Sequence, residues 1–341
     1  MKRIKGIEVI DIIFTLITLL AFVLAVSGSI SGYVRPHHFK WVSLSNNILP
    51  GILIICGFLM IYWIFRKSWR LLIPLFSIII NTFTLLSFFQ LRGEIKVLTY
   101  VNEDIIKIVN YNLSGYIIQE EKNNGTKISK FFIDESPDII CLQEMKHIPI
   151  DSSQRMSRYI EHSDDSHIGL AILSRYKIIK KGTINFEDSP NRVIWADLST
   201  DKGPVRIINI HLQSTRLAKR HATGESVFSS IRSIKDNNER RATQAETVRH
   251  LIDTTVHPVI LCGNMNDTPL SYTYTKLKGE NLIDGFREAG SKFGGTYRGM
   301  AGLFRLDYIF HSNEFKSVRY TTPDKEWSDH KPVISELVYR N

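Results

Sequence analysis

Hydrophobic residues are concentrated in three long runs within the first 91 positions. The runs cover 9–27, 48–65 and 71–91, and each comes close to the roughly 20 residues that a helix needs to cross about 30 Å of hydrocarbon. Asp11 is the only charge in the first run, and the other two runs have none. The pattern therefore predicts an all-α membrane anchor over 1–91, built from three transmembrane helices.

Charges beside these runs bear on their role and orientation. Lys2, Arg3 and Lys5 would also suit the start of a cleaved signal peptide, although the first run is long for one and two more runs follow it. Counts of Lys and Arg in the short loops slightly favour the N-terminus and the 66–70 turn on the cytoplasmic side. With three spans, the rest of the chain is then expected outside.

The pattern changes after a short linker, 92–104, where shorter apolar segments alternate with polar ones. Two segments, 128–135 and 239–253, have helical spacing. The predicted strands are 105–111, 138–142, 169–173, 193–198, 205–212, 259–262, 305–310 and 333–339. Since strands outnumber helices, the sequence predicts an α/β domain over 105–341, a layered sandwich of mixed β-sheets with flanking helices.

Composition excludes a disordered chain and weakens one explanation of the charge. The 341 residues are 43% hydrophobic and 23% charged, as in ordinary folded proteins. A formal net charge of +9 suggests a nucleic-acid partner at first. Residues 1–91, however, hold eight Lys and Arg against two acids, so most of the excess flanks the apolar runs.

The three cysteines are expected to be small buried hydrophobic residues.

Polar groups of the kind found in metal-phosphate sites follow several predicted strands. Taken alone, each is weak: a Gln-Glu pair after a strand is usually a solvated strand end, and a histidine in an apolar strand is usually a satisfied core residue. The pairs and triplets are Tyr111-Asn112, Gln143-Glu144, His211-Leu212, Gly263 with Asn264 and Asn266, Asp307-Tyr308-Ile309 and Ser328-Asp329-His330.

The order of these motifs resembles that of the endonuclease/exonuclease/phosphatase superfamily, over roughly residues 105–339. The resemblance implies two packed β-sheets flanked by helices and hydrolysis of phosphoric esters with a divalent metal, Mg²⁺ or alternatively Mn²⁺. The whole chain is similar to a membrane-anchored bacterial subgroup. This similarity implies an integral protein of the inner membrane, with the soluble domain on the outer, periplasmic side.

The resemblance also implies roles for single residues. Glu144 matches the metal-binding glutamate and Asp329 a second carboxylate near the metal; hard divalent ions prefer such oxygen ligands. His330 matches the histidine that acts as general base or contacts the scissile phosphate, and Asp307 the acid that orients it.

Three further polar residues match groups that bind the phosphate. His211 corresponds to a donor that stabilises developing negative charge. Asn112 and Asn266 correspond to amides that position water and phosphate. Together with the carboxylates and His330, they would complete a catalytic site.

Asn264 departs from the family, which has an aspartate at this position. An amide carries no charge and is no base at neutral pH, and losing a positioned general base slows a reaction on the order of 10²- to 10⁴-fold. Either the change was introduced to make a slowed protein, or it is natural and the chain binds or signals. Asp267 is a second acid nearby, although it also suits the local turn.

The sequence leaves the function open between three classes of protein. The leading hypothesis is a membrane-anchored hydrolase of phosphodiester or phosphomonoester bonds, most readily in a lipid headgroup, because the linker is short. The alternatives are a tethered nuclease acting on DNA or RNA, and a catalytically silent protein that binds phosphate ligands or partner proteins. The basic segment 216–249 is either a lip for phosphate or anionic lipid, or a solvated loop and helix face.

Overall fold

The computed structural model describes residues 2–90, 104–114, 121–146, 156–162, 169–187, 189–215, 227–299 and 302–340. Nearly all of the predicted linker, and part of the basic segment at 216–226, lie outside the described residues. Eight α-helices and fourteen strands are described in these ranges.

The N-terminal quarter is helical. Two helices, Glu8–Ile30 within α1 (Lys2–Ile30) and α2 (Val42–Phe65), are long and apolar enough to cross a membrane. Large apolar side chains on them are exposed, for example Leu16 at 62% and Phe58 at 69%. Apolar side chains on all sides are typical of helices that lie in lipid rather than in water.

The predicted third span at 71–91 is not one helix. A 3₁₀ turn (Trp69–Leu71) leads into α3 (Leu72–Ile80), and α4 (Thr82–Leu85) follows after a break at Asn81. The buried Asn81 amide donates to the carbonyls of Ala25 and Ser77. Side-chain amides that bond to the backbone in this way compete with regular helix geometry, which hydropathy alone does not reveal.

The broken third segment nevertheless runs back along α2. Ile78 packs with Cys56 and Leu59, and further on Phe88 packs with Leu49. The contacts therefore move towards the start of α2 as the chain proceeds.

Two six-stranded mixed sheets contain twelve of the strands and confirm the predicted layered sandwich; the other two strands, Phe89–Gln90 and Lys292–Phe293, pair in a separate two-stranded antiparallel sheet. The strands are β1 (Phe89–Gln90), β2 (Ile106–Asn112), β3 (Ile139–Met145), β4 (Ser157–His162), β5 (Gly169–Ser174), β6 (Lys177–Asn185), β7 (Arg192–Thr200), β8 (Gly203–His211), β9 (Val259–Asn264), β10 (Leu282–Asp284), β11 (Lys292–Phe293), β12 (Asp307–Ser312), β13 (Phe315–Thr321) and β14 (Val333–Tyr339). The first six-stranded sheet has the order β13-β14-β2-β3-β5-β4 and the second β10-β12-β9-β8-β7-β6, with β2–β3 and β8–β9 parallel and the other pairs antiparallel.

Hydrophobic residues fill the space between the sheets and beneath the helices. Ile108 and Cys141 of the first sheet pack with Ile207 and Cys262 of the second. Helix α5 (Glu121–Glu135) covers the outer face of the first sheet, and α6 (Val227–Asp253) covers that of the second. Two short helices, α7 (Tyr272–Lys278) and α8 (Gly285–Ala289), complete the layers. All three cysteines are free and buried, as expected.

Candidate active site

The predicted site residues come together at one edge of the sandwich. In the parallel pairs, Asn112 lies opposite Gln143 and His211 opposite Asn264. Asp307, the first residue of β12, lies opposite Asn264 on its other side. Because parallel strands end at the same edge of a sheet, their polar ends are presented together.

Glu144 lies between the two sheets with its carboxylate held from both sides. Its Oε1 accepts a hydrogen bond from Asn112 Nδ2 at 3.1 Å and lies 3.2 Å from His211 Nε2. Burial by itself would raise the pKa of Glu144, but His211, Asn112 and the charge of His330 together lower it to about 2. Its φ of +49° is strained for a glutamate, and such strain is typical of functional sites.

His211 is oriented by Asn191, which the sequence did not single out. Asn191 Nδ2 donates to the carbonyl of Leu212 at 3.1 Å, which fixes the orientation of the amide. The same Nδ2 lies 3.3 Å from His211 Nδ1, which must then accept. The neutral imidazole therefore carries its proton on Nε2, facing Glu144.

His330 and Asp307 form a buried pair across the gap between the sheets. Nδ1 of His330 lies 2.7 Å from Asp307 Oδ2, and Thr296 Oγ1 donates to the same oxygen at 2.6 Å. Burial disfavours the imidazolium, but the charges of Asp307, Asp329 and Glu144 outweigh it and raise the pKa of His330 to about 9. His330 is thus a cation at neutral pH.

The Asn264 amide is half satisfied. Its Oδ1 accepts from the backbone N–H of Asn266 at 2.7 Å, which identifies the other atom as the nitrogen. That Nδ2 is buried and has no hydrogen-bond partner among the described residues. An aspartate would have a second acceptor oxygen there, so the position that a family aspartate would offer to a water is occupied by a donor.

Asn266 and Asp267 serve other contacts. Asn266 has a φ of +53° and donates through Nδ2 to the carbonyl of Leu212 at 2.8 Å. Asp267 is buried, and its Oδ2 accepts from Arg241 and from Thr273. Asp267 therefore belongs to the support of the loop, as the turn interpretation suggested, and its charge is already paired.

The donor set fits a hard divalent ion. Glu144 is ionised, and Asp329 Oδ1 and Asp307 Oδ1 are buried oxygens without a hydrogen-bond partner in the part of the chain that the structure describes. Buried carboxylate oxygens are rarely left unpaired unless something else binds them. Among the residues described, no three His, Cys, Asp or Glu side chains form a cage, so the fit is to an ion held by one or two carboxylates.

A network of buried amides holds the edge together, and the sequence analysis missed it. Gln143 Nε2 donates to Asn110 in its own sheet at 2.8 Å and to Asn209 in the other at 2.7 Å. Asn209 in turn donates to the carbonyls of Leu142 and Ala171. Asparagines in the middle of apolar strands were the available signal, since a buried amide needs partners.

In the described part of the basic segment, 227–249, not all of the arginines face solvent. Arg241 is 1% exposed and pairs with Asp267, and Arg249 pairs with Asp253 and is also buried. Both arginines therefore stabilise the fold.

Two family models match the chain. The one described as Endonuclease/Exonuclease/phosphatase family matches residues 109–330, and a Domain of unknown function (DUF8431) matches 11–88. Exodeoxyribonuclease III of Haemophilus influenzae is 22% identical over 175 residues, which are 48% of this chain and 58% of that enzyme. The match thus spans less than two thirds of the enzyme's length.

Solved structures with a similar fold include D. rerio TDP2 humanized by 14 mutations, at TM-score 0.56 and 16% identity over 68% of this chain and 98% of that one. The catalytic domain of human Nocturnin with bound sulfate has TM-score 0.52 and 16% identity, covering 70% and 98%. D. rerio TDP2 complexed with a single-strand DNA product has TM-score 0.54 and 14% identity, covering 69% and 99%. At these identities the likeness concerns the fold.

Proposed function

The chain belongs to the endonuclease/exonuclease/phosphatase family, and on that premise we propose that it is a divalent-metal-dependent hydrolase of phosphodiester or phosphomonoester bonds. The observation that carries the proposal is the pair of groups facing each other between the sheets. One is an ionised Glu144 held by Asn112 and His211, and the other is the buried His330–Asp307 pair. A carboxylate for a metal and a cation for a phosphate are what this chemistry requires.

Glu144 and Asp329 are the residues that would hold Mg²⁺, or Mn²⁺ in its place. When bound, such an ion neutralises phosphate charge and activates water. The chain's own donors then act on the phosphate.

His330, kept cationic by Asp307, donates to a phosphate or leaving-group oxygen. The Nε2–H of His211, which faces Glu144, and the second amide hydrogens of Asn112 and Asn266, beyond those bound to Glu144 and Leu212, are the donors that we assign to the phosphate. Asn264 supplies no base, so this polypeptide works as a slowed enzyme.

A lipid headgroup is the substrate class that we favour. The support is the apolar N-terminal helices, together with a loop between them that bonds directly to the domain, for example Arg35 to Glu246 at 2.7 Å. This contact keeps the domain beside the bilayer surface, where headgroup phosphates are concentrated.

A nuclease is the second candidate. It is favoured by the similarity to Exodeoxyribonuclease III and by the fold shared with a TDP2 that was solved with a DNA product. A catalytically silent phosphate-binding or interaction protein remains the third, because Asn264 removes the acid.

Hydrolysis assays on the full chain with Mg²⁺ separate the three. We expect release of headgroup from phospholipid vesicles and loss of that activity in Asp329→Asn. Cleavage of single-stranded or duplex DNA without lipid hydrolysis would identify a nuclease. No hydrolysis of either substrate, by this chain or by Asn264→Asp, would identify a silent protein.

We further propose the domain organisation. Residues 1–91 form a membrane anchor in which the broken third segment also crosses the bilayer, 92–104 form a linker, and 105–341 form the catalytic domain. The anchor places the protein in the inner membrane of a bacterium with the catalytic domain on the periplasmic side, in agreement with the Lys and Arg counts.

A further inference from the structure

Three segments next to site residues also touch the N-terminal region, residues 2–90. The loop after β9, 265–271, contains Leu270, four residues beyond Asn266. The segment before β12 contains Arg305, two residues before Asp307. The third segment contains Gly294, two residues before Thr296. Since a chain extends at most about 3.6 Å per residue, these contacts lie within roughly 7–14 Å of the site residues.

Leu270 is the apolar contact. It is 7% exposed and packs with Ala25 of α1, Leu49 of α2 and Phe88. Its carbonyl accepts from Ser31 Oγ at 3.0 Å. Burial of this apolar side chain stabilises the contact, so the loop that follows Asn264 and carries Asn266 is fastened at its far end to the helices.

The other two segments are fastened through the backbone. Arg305 Nη2 donates to the carbonyl of Ser87 at 3.0 Å, and its side chain is 1% exposed. The N–H of Gly294 donates to the carbonyl of Phe88 at 3.3 Å. Both partners lie in the turn that follows α4, near the end of the third apolar segment.

A polar route reaches the site from the first turn of α2. Asn238 on α6 donates through Nδ2 to the carbonyl and hydroxyl of Ser43 in that turn, and its Oδ1 accepts from Arg241 at 2.6 Å. Arg241 then donates to the carbonyl of Gln213 and to Asp267. Gln213 lies two residues after His211, and Asp267 follows Asn266.

Charged contacts hold α6 against the loop between α1 and α2. His37 and Lys40 both reach Glu239, while Arg35 reaches Glu246. Glu246 also accepts from Tyr272, in the helix that follows Leu270. The loop between α1 and α2 therefore contacts residues that support the loops at 211–215 and 264–270.

From these contacts we infer that the N-terminal helices position the active-site loops, with Leu270 and Arg241 as positioning residues for the loops at 211–215 and 264–270. The inference rests on the proposed function only for its kinetic consequence. Displacing a reacting group by about 1 Å costs as much as 100-fold in rate, so loosening these loops lowers kcat more than it changes KM.

Hydrogen–deuterium exchange on the full chain in detergent tests the positioning without any activity. We expect Leu270→Ala to speed exchange at 264–270 by about tenfold or more. The matched control is Leu198→Ala, which removes the same side chain from the buried core. Leu198 lies near the end of β7 away from the site, since Arg192 at the other end pairs with His211. Equal exchange at 264–270 in the two variants would overturn the inference.

Asn238→Asp tests the polar route. The variant keeps an oxygen for Arg241 and loses the donor to Ser43. We expect faster exchange at 211–215 and a kcat on bis(p-nitrophenyl) phosphate with Mg²⁺ lowered about tenfold, with KM within about twofold.

The two proposals fail separately in these experiments. If no variant or parent hydrolyses any phosphoric ester, the proposed function fails, and the exchange data still decide the positioning role. Unchanged exchange in both Leu270→Ala and Asn238→Asp would reject the positioning role even in an active enzyme.

Discussion

At the residue scale, the proposed activity is tested most directly at Asn264. Its Oδ1 already bonds to the N–H of Asn266, and its Nδ2 is a buried donor without a partner among the described residues. Replacing that nitrogen by oxygen restores an acceptor and a charge at the same place. We therefore expect Asn264→Asp to raise Mg²⁺-dependent phosphodiesterase activity about tenfold or more.

Steady-state rates of the parent chain and the Asn264→Asp variant on one substrate check this. His330→Ala provides the control, because without that histidine the restored acid has no partner for catalysis and the gain should shrink. Equal rates for the parent and the variant would remove the role assigned to position 264.

His330 makes a second prediction, on stability. Its folded pKa of about 9 lies above the ordinary 6.5 because of Asp307, so the imidazolium stabilises the fold fully below pH 6.5. That stabilisation is lost as pH rises through about 9. At about 1.4 kcal/mol per pH unit, it amounts to roughly 3 kcal/mol.

Unfolding of the chelator-treated protein between pH 6 and 10 measures this. The unfolding free energy should fall over this range, and the fall should be smaller in His330→Gln. An unchanged slope in that variant would assign the pH dependence to other groups.

At the element scale, the approach of β8 to β9 depends on Gly263. Its φ is +140°, and a Cβ there would lie far inside the van der Waals distance of the carbonyl oxygen of Ile210 on the neighbouring strand. We expect Gly263→Ala to destabilise the protein by about 3 kcal/mol or more and to displace Asn264, because both backbone strain and a clash are introduced.

Gly203, the first residue of β8, provides the matched control at the other end of that strand. Its φ is +106°, but a Cβ there would meet nothing within 4 Å. Gly203→Ala should thus cost only the strain, about 1–2 kcal/mol. Thermal unfolding of both variants isolates the close approach; equal losses would mean that strain alone matters.

Elements with strong patterns were predictable, and those with weak patterns were not. The apolar strand β9 was expected at 259–262 and is observed at Val259–Asn264. Strand β6 (Lys177–Asn185) was missed because its side chains are mostly half-buried or exposed and include three lysines, as suits an edge strand. The long helix α6 was predicted only from residue 239, where its apolar face becomes regular.

At the scale of the whole molecule, motif order predicted the candidate site residues, but their pairing across the sheets required the structure. His330 and Asp307 lie 23 residues apart, one just before β14 of the first sheet and the other in β12 of the second, and nothing local states that they bond. The same holds for Asn191, which orients His211 from 20 residues away. Contacts between the N-terminal helices and α6 were equally invisible, because exposed charges look alike in sequence whether or not they have a partner.

The last prediction concerns sidedness, and it follows from those contacts. The loop between α1 and α2 bonds to α6, whereas the turn after α2 is at the far end of a 24-residue helix, about 36 Å away. If both helices cross the bilayer, this loop and the catalytic domain share one side and the turn lies on the other. Single cysteines can be placed at three exposed positions by Tyr33→Cys, Val256→Cys and Lys67→Cys. The first two should be accessible from one side of the membrane and the third from the other.

Labelling with an impermeant maleimide, in intact and in permeabilised cells, measures the side on which each introduced cysteine lies. The three native cysteines do not interfere because they are buried. Labelling of the Tyr33 and Val256 variants in intact cells, with the Lys67 variant labelled only after permeabilisation, supports the periplasmic orientation. The reverse pattern keeps the shared side but gives the domain access to cytoplasmic nucleic acid, which favours the nuclease. Labelling of the Tyr33 and Val256 variants from opposite sides would mean that α1 and α2 do not cross the membrane while the loop between them is bonded to α6.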